Sequence, residues 1–295
     1  MNIIKTKKRK LALREFTQCN PGVTRTTRTS NATRTSNATR TRKSKNKCLP
    51  SNVYSYISEK IKVNNDKLFQ SIGCKNGEEH CLLDSAPINE NLKKELRKQY
   101  LRPRQPKAWN NDPDMWLDNF NILAVMKQYQ YAYSWFKFLG VFPIDFSAPD
   151  PYKQGELQCL YKETCNLNLK KEYASGIRGI GMIFNLDPHF KGGSHWVALY
   201  INLKNIKKPF VGYFDSYGYK TPPLIARLMR SFKLQINTCQ LGFNSRHFQY
   251  GNSECGMFSM YFIICMISGI SFKNFCKDSV NDSFMLQLRK ILFSR

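Results

Sequence analysis

Acidic residues are scarce in this sequence, and histidines scarcer still. The 295 residues hold 21 Asp and Glu against 46 Lys and Arg, with four His. The net charge of +25 is far from the balance of an ordinary enzyme and predicts salt-sensitive attraction to polyanions such as nucleic acid. Four histidines and no CxxC pair leave little for zinc ligation, so no metal is expected. Nor does any apolar stretch suit a membrane. The longest, residues 257–272, is interrupted by Ser and Gly and predicts a buried helix. A signal peptide is missing too, because MNIIKTKKRK is charged and no apolar segment follows it. The ten cysteines are therefore expected to be reduced thiols in a cytosol-like compartment, in a chain too long to need disulfide staples.

What is present divides the chain into three parts. Residues 1–47 carry fourteen Lys/Arg against one acid, Glu15, with almost no bulky apolar residue beyond Leu13. TRTSNA occurs there twice in tandem, at 27–32 and 33–38. Such a segment cannot bury enough surface to offset its ordering entropy, which predicts a disordered basic arm. Its run Lys7-Lys8-Arg9-Lys10 suits either a nucleic-acid-binding tail or a nuclear address. Residues 48–110 read as mostly helical, clearest over 89–100. Residues 111–295 form the third part. Apolar residues Trp116, Phe120, Ile122, Val125, Met126 and Tyr129 recur at helical spacing. Strands are predicted at 181–185, 195–203, 210–215 and 233–238, and helices at 221–232, 256–270 and 281–293. Helices, a small sheet and then more helices make the fold class α+β.

The strands 195–203 and 210–215 are separated by Lys204-Asn205-Ile206-Lys207-Lys208. As an antiparallel hairpin turning near Asn205, they place His195 opposite Asp215 to within one or two residues. Opposed residues have Cβ atoms about 4.5–5.5 Å apart, close enough for a carboxylate to fix the tautomer and raise the basicity of the imidazole. Cys255 stands in Asn252-Ser253-Glu254-Cys255-Gly256, just before the apolar helix. A thiol there feels the positive end of the helix dipole, which favours the thiolate, and a thiolate beside an imidazolium is an activated nucleophile. Gly256 lets a substrate backbone approach. Gln249, six residues upstream, can offer its side-chain amide to an oxyanion. Each residue alone also suits a bland role: a core cysteine, a satisfied histidine, a surface glutamine, a turn at 215–218. Their joint order and spacing carry the chemical reading.

Three motifs, His195-Trp196-Val197-Ala198-Leu199, Tyr213-Phe214-Asp215-Ser216-Tyr217-Gly218 and Gln249 with Asn252-Ser253-Glu254-Cys255-Gly256-Met257-Phe258, resemble the cysteine protease clan of SUMO proteases and the adenovirus maturation protease. Trp116-Leu117-Asp118-Asn119 looks like that clan's Trp-Leu-Asn-Asp element with the last two residues interchanged. The stretch from about residue 110 onward is more closely similar to the polyprotein-processing proteases of large cytoplasmic DNA viruses, the African swine fever virus type. The resemblance implies a papain-like mechanism with His195, Asp215 and Cys255 catalytic and Gln249 in the oxyanion hole. It implies a mainly antiparallel sheet, with the nucleophile at the N-terminus of a buried helix. It further implies that Trp116 and Trp196 clamp a Gly-Gly strand, and that the protein cuts viral structural precursors after Gly-Gly during virion maturation.

On this view the partners are those precursors and, through the arm, nucleic acid, with no membrane. No cofactor is implied, although activation by nucleic acid stays open. The place is the virion and the host cytoplasm, with the nucleus also open. Competing readings are a deconjugating isopeptidase for SUMO or ubiquitin-like modifiers, a nucleic-acid-binding virion protein with a vestigial site, and an acetyltransferase using the same triad.

Overall fold

The computed structural model describes residues 10–23, 47–149 and 157–294. The chain divides into two compact units, one of residues 14–113 and 289–295, the other of residues 1–13 and 114–288. The first unit is helical: α1 (Ser51–Lys60), α2 (Leu68–Ser71), α3 (Glu79–Ser85) and α4 (Glu90–Tyr100). They close over Ile57, Leu68, Leu82, Leu83 and Leu96. Buried Glu79 accepts the Cys48 and Leu49 amides, each at 2.8 Å, and the Tyr54 hydroxyl.

The second unit begins with α5 (Asn119–Ala132), β1 (Phe136–Pro143), β2 (Ser147–Pro149) and β3 (Leu157–Cys159). It continues with α6 (Lys162–Cys165), α7 (Leu169–Ala174), β4 (Gly179–Asn185), β5 (Trp196–Asn202) and β6 (Phe210–Phe214). Next come α8 (Pro223–Gln235), β7 (Gln240–Phe243), α9 (Cys255–Ile267) and α10 (Phe272–Phe275), with α11 spanning Asp282–Leu292. The five-stranded sheet runs β1-β4-β5-β6-β7, antiparallel at its centre and parallel at both edge pairings. A further antiparallel pair, β2-β3, stands apart.

Alternation along the strands makes two cores. Ile180, Met182, Val197, Leu199, Val211 and Tyr213 meet Ile225, Met229 and Phe232 of α8. On the opposite face lies α9, whose thirteen residues are all buried, as its largely apolar sequence requires. A Cβ on Gly181 would stand 3.1 Å from Ile263 of this helix, so the small residue sets how closely α9 lies on β4. α5 buries Ile122, Val125, Met126 and Tyr129, the i, i+3, i+4, i+7 stripe of an amphipathic helix. Phe120 is left 71% exposed and Trp116 42% exposed, so these two do not belong to that stripe.

Three expectations need correction. The strand expected at 233–238 is absent: α8 continues to Gln235 because the turn carrying Phe232 still faces the core. The next strand is the exposed edge β7. The thiols are not all free. Cys19–Cys48, Cys74–Cys81 and Cys159–Cys165 are disulfides, with Cα separations of 5.3 to 6.3 Å in the bonding range. Four of these six cysteines staple the small helical unit, whose short helices bury little surface of their own.

The arm expected over 1–47 is not uniform either. Leu11 is buried, its carbonyl accepts the Tyr261 hydroxyl at 2.8 Å, and Lys10 lies over the rings of Phe248 and Phe275 at 4.2 and 3.5 Å. Cys19 is tied to Cys48, and the Asn20 side chain donates to the Lys98 carbonyl at 2.8 Å. Leu11 and Cys19 supply apolar and covalent anchors that the average composition of the segment hides. The tandem repeat at 27–38 lies outside the described residues.

Candidate active site

The β5–β6 hairpin sets the first pair of groups. Ala198 pairs with Phe214, so three residues further out His195 falls opposite Tyr217 and Asp215 lies on the diagonal. That is two residues from the register placing His195 squarely against Asp215, and the shift has a use. The His195 and Tyr217 rings stack, centroids 4.9 Å apart, while His195 Nε2 donates to Asp215 Oδ1 at 2.8 Å. The carboxylate is wholly buried and also receives the Tyr217 amide at 2.8 Å. Its backbone is locked to Asn244, which accepts the Asp215 amide and donates to its carbonyl, both at 2.8 Å.

With Nε2 committed to Asp215, Nδ1 is the nitrogen left for Cys255, which lies within hydrogen-bond reach of the ring. Burial alone would lower the His195 pKa. Hydrogen bonds to Asp215 and Cys255, with their charges, outweigh burial and raise it to about 9. The ring is therefore held as an imidazolium across neutral pH. Cys255 is the first residue of α9, 2% exposed, at the helix end where negative charge is stabilised.

Gln249 is fixed on both sides of its amide. Ser216 Oγ donates to Oε1 at 2.7 Å, and Nε2 donates to the Gly251 carbonyl at 3.0 Å. This network assigns the amide orientation, and it leaves the second hydrogen of Nε2 for another acceptor. The Phe248 and Gln249 amides both donate to the Ser216 carbonyl, at 2.7 and 3.0 Å. Asp282 Oδ2 holds the next two amides, Tyr250 at 3.0 Å and Gly251 at 3.2 Å. The Tyr217 hydroxyl closes the circuit on the Gly251 carbonyl at 2.8 Å.

Sequence reasoning missed Ser216, Tyr217, Asn244 and Asp282. The first two lie inside a motif that also reads as a turn. The others act from 29 and 31 to 32 positions away, without a local signal.

Trp116 and Trp196 do line one cavity, of about 430 Å³, with Val141, Phe142, Tyr161 and His189 among its other walls. Trp196 is 7% exposed, and its indole nitrogen donates to the Leu117 carbonyl at 2.9 Å. Gly256 also has a reason inside the fold. A Cβ there would stand 3.0 Å from Leu117 and 3.3 Å from Trp196. The order Asp118-Asn119 is explained by capping: Asp118 accepts the Asn121 amide at 2.7 Å, and the Asn121 side chain answers at 3.2 Å. Among the described residues no cluster could hold a metal, and no helix is long and apolar enough to cross a membrane.

Residues 178–294, which bracket His195, Asp215, Gln249 and Cys255, match the Ulp1 protease family, C-terminal catalytic domain. The chain is 32% identical over 183 residues to a thiol protease of Acanthamoeba polyphaga mimivirus, covering 60% of this chain and 56% of that protein. The chain thus spans little more than half of that relative's length. It is 25% identical over 262 residues to a cysteine protease of African swine fever virus, covering 82% of this chain and 92% of that one. The same protein in other isolates of that virus is named SUMO-1 cysteine protease. A match over 82% of the chain reaches further toward the N-terminus than residue 110. The crystal structure of an African swine fever virus protease aligns with a TM-score of 0.65 at 20% identity, over 85% of this chain and 93% of that one. The two share a fold.

Proposed function

We propose that this chain is a viral cysteine protease of the Ulp1 type, an endopeptidase that cuts structural precursor proteins after Gly-Gly during virion maturation, a reading supported by the relatives it resembles. The observation that carries this reading is the joining of a buried His195–Asp215 pair to Cys255, with a Gln249 amide pinned from both sides. Cys255 Sγ, as thiolate, attacks the scissile carbonyl carbon. The second hydrogen of Gln249 Nε2, with backbone amides at the start of α9, receives the negative charge that moves onto the carbonyl oxygen. The imidazolium of His195 gives its proton to the departing amine as the C–N bond breaks. Water then attacks the thioester, His195 takes back one proton, and the thiolate leaves. Asp215 holds the ring in the tautomer that serves both steps.

Gly-Gly selectivity follows from the slot between Trp116 and Trp196, where a flat aromatic wall admits a strand without side chains. The basic segment 24–46, with seven Lys/Arg and no acid, retains the enzyme on nucleic acid, which places it in the virion and in the host cytoplasm where virions assemble. A second reading, removal of a SUMO-like modifier, is favoured by the name that the swine fever virus relatives carry. The same chemistry serves both, and they differ in whether a folded modifier must dock. The test incubates the enzyme with Gly-Gly-containing structural precursors and with SUMO-linked and ubiquitin-linked proteins, then sequences the new termini. Cuts after Gly-Gly in precursors alone support maturation. Release of modifiers at comparable rates would favour deconjugation, and no cut in any arm would reject both.

A further inference from the structure

Beside the His195–Asp215 pair stands a group of rings that the peptide-bond chemistry does not use. Tyr217, stacked on His195, is followed by Tyr219 at 5.6 Å and by His247 at 5.7 Å, and His247 meets Tyr250 at 4.5 Å. The set is open to solvent, with Tyr219 64% and Tyr250 78% exposed. Contiguous exposed aromatic surface of this kind marks a binding site more often than chance.

The two loops that carry the rings are built to stay where they are. Gly218 takes φ of +77°, and a Cβ there would stand 2.9 Å from the carbonyls of Ser245 and Arg246, so one loop rests directly on the backbone of the other. The Tyr217 hydroxyl is tied to Gly251, and the Tyr250 amide to Asp282. Rigid rings presented to water lose little entropy on binding.

The direction of the reaction decides which part of a substrate passes over them. The departing amine must take its proton from His195, so the residues after the cut lie on the His195 side of the scissile bond. Trp116, Trp196 and their cavity, next to Leu117 and Gly256, are taken on the protease reading by the Gly-Gly strand before the cut. A chain leaving past His195 meets Tyr217 first.

We propose that Tyr217, Tyr219, His247 and Tyr250 form the subsite for the leaving side of the substrate, and that it selects an aromatic side chain within the first residues after the cut. The inference rests on the protease reading. One such side chain laid on this platform gains roughly the energy of an aromatic pair plus its buried area, about tenfold in rate. A purely structural cover over His195 would be insensitive to the identity of the residues after the cut.

The test uses the full chain and internally quenched peptides that share one Gly-Gly acyl side and carry Phe, Ala or Asp at each of the first three positions after it. The Phe peptides should show about tenfold higher kcat/KM than the Ala peptides at one of those positions. Replacing the exposed rings, Tyr219→Ser with Tyr250→Ser, should shrink that ratio toward one. The acyl-enzyme can also be captured by an added amine, which loses one proton to His195 as its nitrogen forms the amide and the Cys255 thiolate leaves. Phenylalaninamide should then compete with water better than glycinamide does. A flat profile at all three positions, or a ratio untouched by the double replacement, overturns the inference. A failure of the protease reading looks different, because then no peptide of the series is cut.

Discussion

Replacing Ser216 by alanine removes one hydroxyl that never touches a substrate, and it should nevertheless cost turnover. Ser216 and Gln249 are both buried, at 1% and 0% exposure, and the 2.7 Å bond from Ser216 Oγ is what holds Gln249 Oε1. Without it the amide has no good orientation. If it stays, Oε1 is a buried acceptor without a donor, a loss of about 1–3 kcal/mol. If it turns over, Oε1 faces the Gly251 carbonyl that Nε2 now serves. In the first case the second Nε2 hydrogen is held from one side only, and in the second it is aimed away from the oxyanion. Full removal of an oxyanion donor lowers turnover by roughly 10²–10³, so Ser216→Ala should fall short of that, at about 10- to 100-fold in kcat with KM little changed. Steady-state kinetics on Ser216→Ala, Gln249→Ala and the double variant separate positioning from general damage. Because Ser216 acts through Gln249, its replacement should add almost nothing in the Gln249→Ala background. A loss that adds in full, or no loss of kcat in the single variant, would refute the reasoning.

The raised pKa of His195, about 9, sets the alkaline edge of activity. The imidazolium and the stability its partners confer are complete below the ordinary histidine value of about 6.5, and both are lost as pH rises through about 9. The kcat/KM profile should therefore fall above that pH, and Asp215→Asn, which removes a charge that raises the pKa, should move the edge toward lower pH. Deleting residues 24–46 should flatten the salt dependence of DNA binding by a slope of up to about 0.9 for each phosphate the segment neutralises, while a short Gly-Gly peptide is still cut. Deleting 1–47 should instead destabilise the protein in thermal unfolding, because it removes Leu11 and the Cys19–Cys48 bond.

The chemistry was more legible in the sequence than the scaffold around it. The hairpin could be read because β5 is a near-continuous apolar run and its partner follows after a short turn, and parity alone then brings His195 and Asp215 to one face. Cys255 was legible because a helix as apolar as α9 has a visible beginning. β1 was not legible, since its partner is β4, a parallel neighbour whose intervening α6 and α7 are short. β7 escaped because it is an exposed edge strand without alternation. The disulfides escaped because cysteine spacing does not fix which Cα atoms come within bonding range. Tyr217 was hidden by the register itself: a hairpin centred one residue earlier puts Asp215, not Tyr217, against the imidazole.

The most direct measurement concerns Cys255. Limited treatment with iodoacetamide, followed by peptide mapping, should show Cys255 alkylated ahead of the other free thiols among the described residues, Cys239, Cys265 and Cys276, with cleavage lost in proportion. Cys255→Ala should unfold at an unchanged temperature and cut nothing. A folded Cys255→Ala variant that still produced the new termini, or an alkylated Cys255 in a fully active enzyme, would contradict the account at its centre.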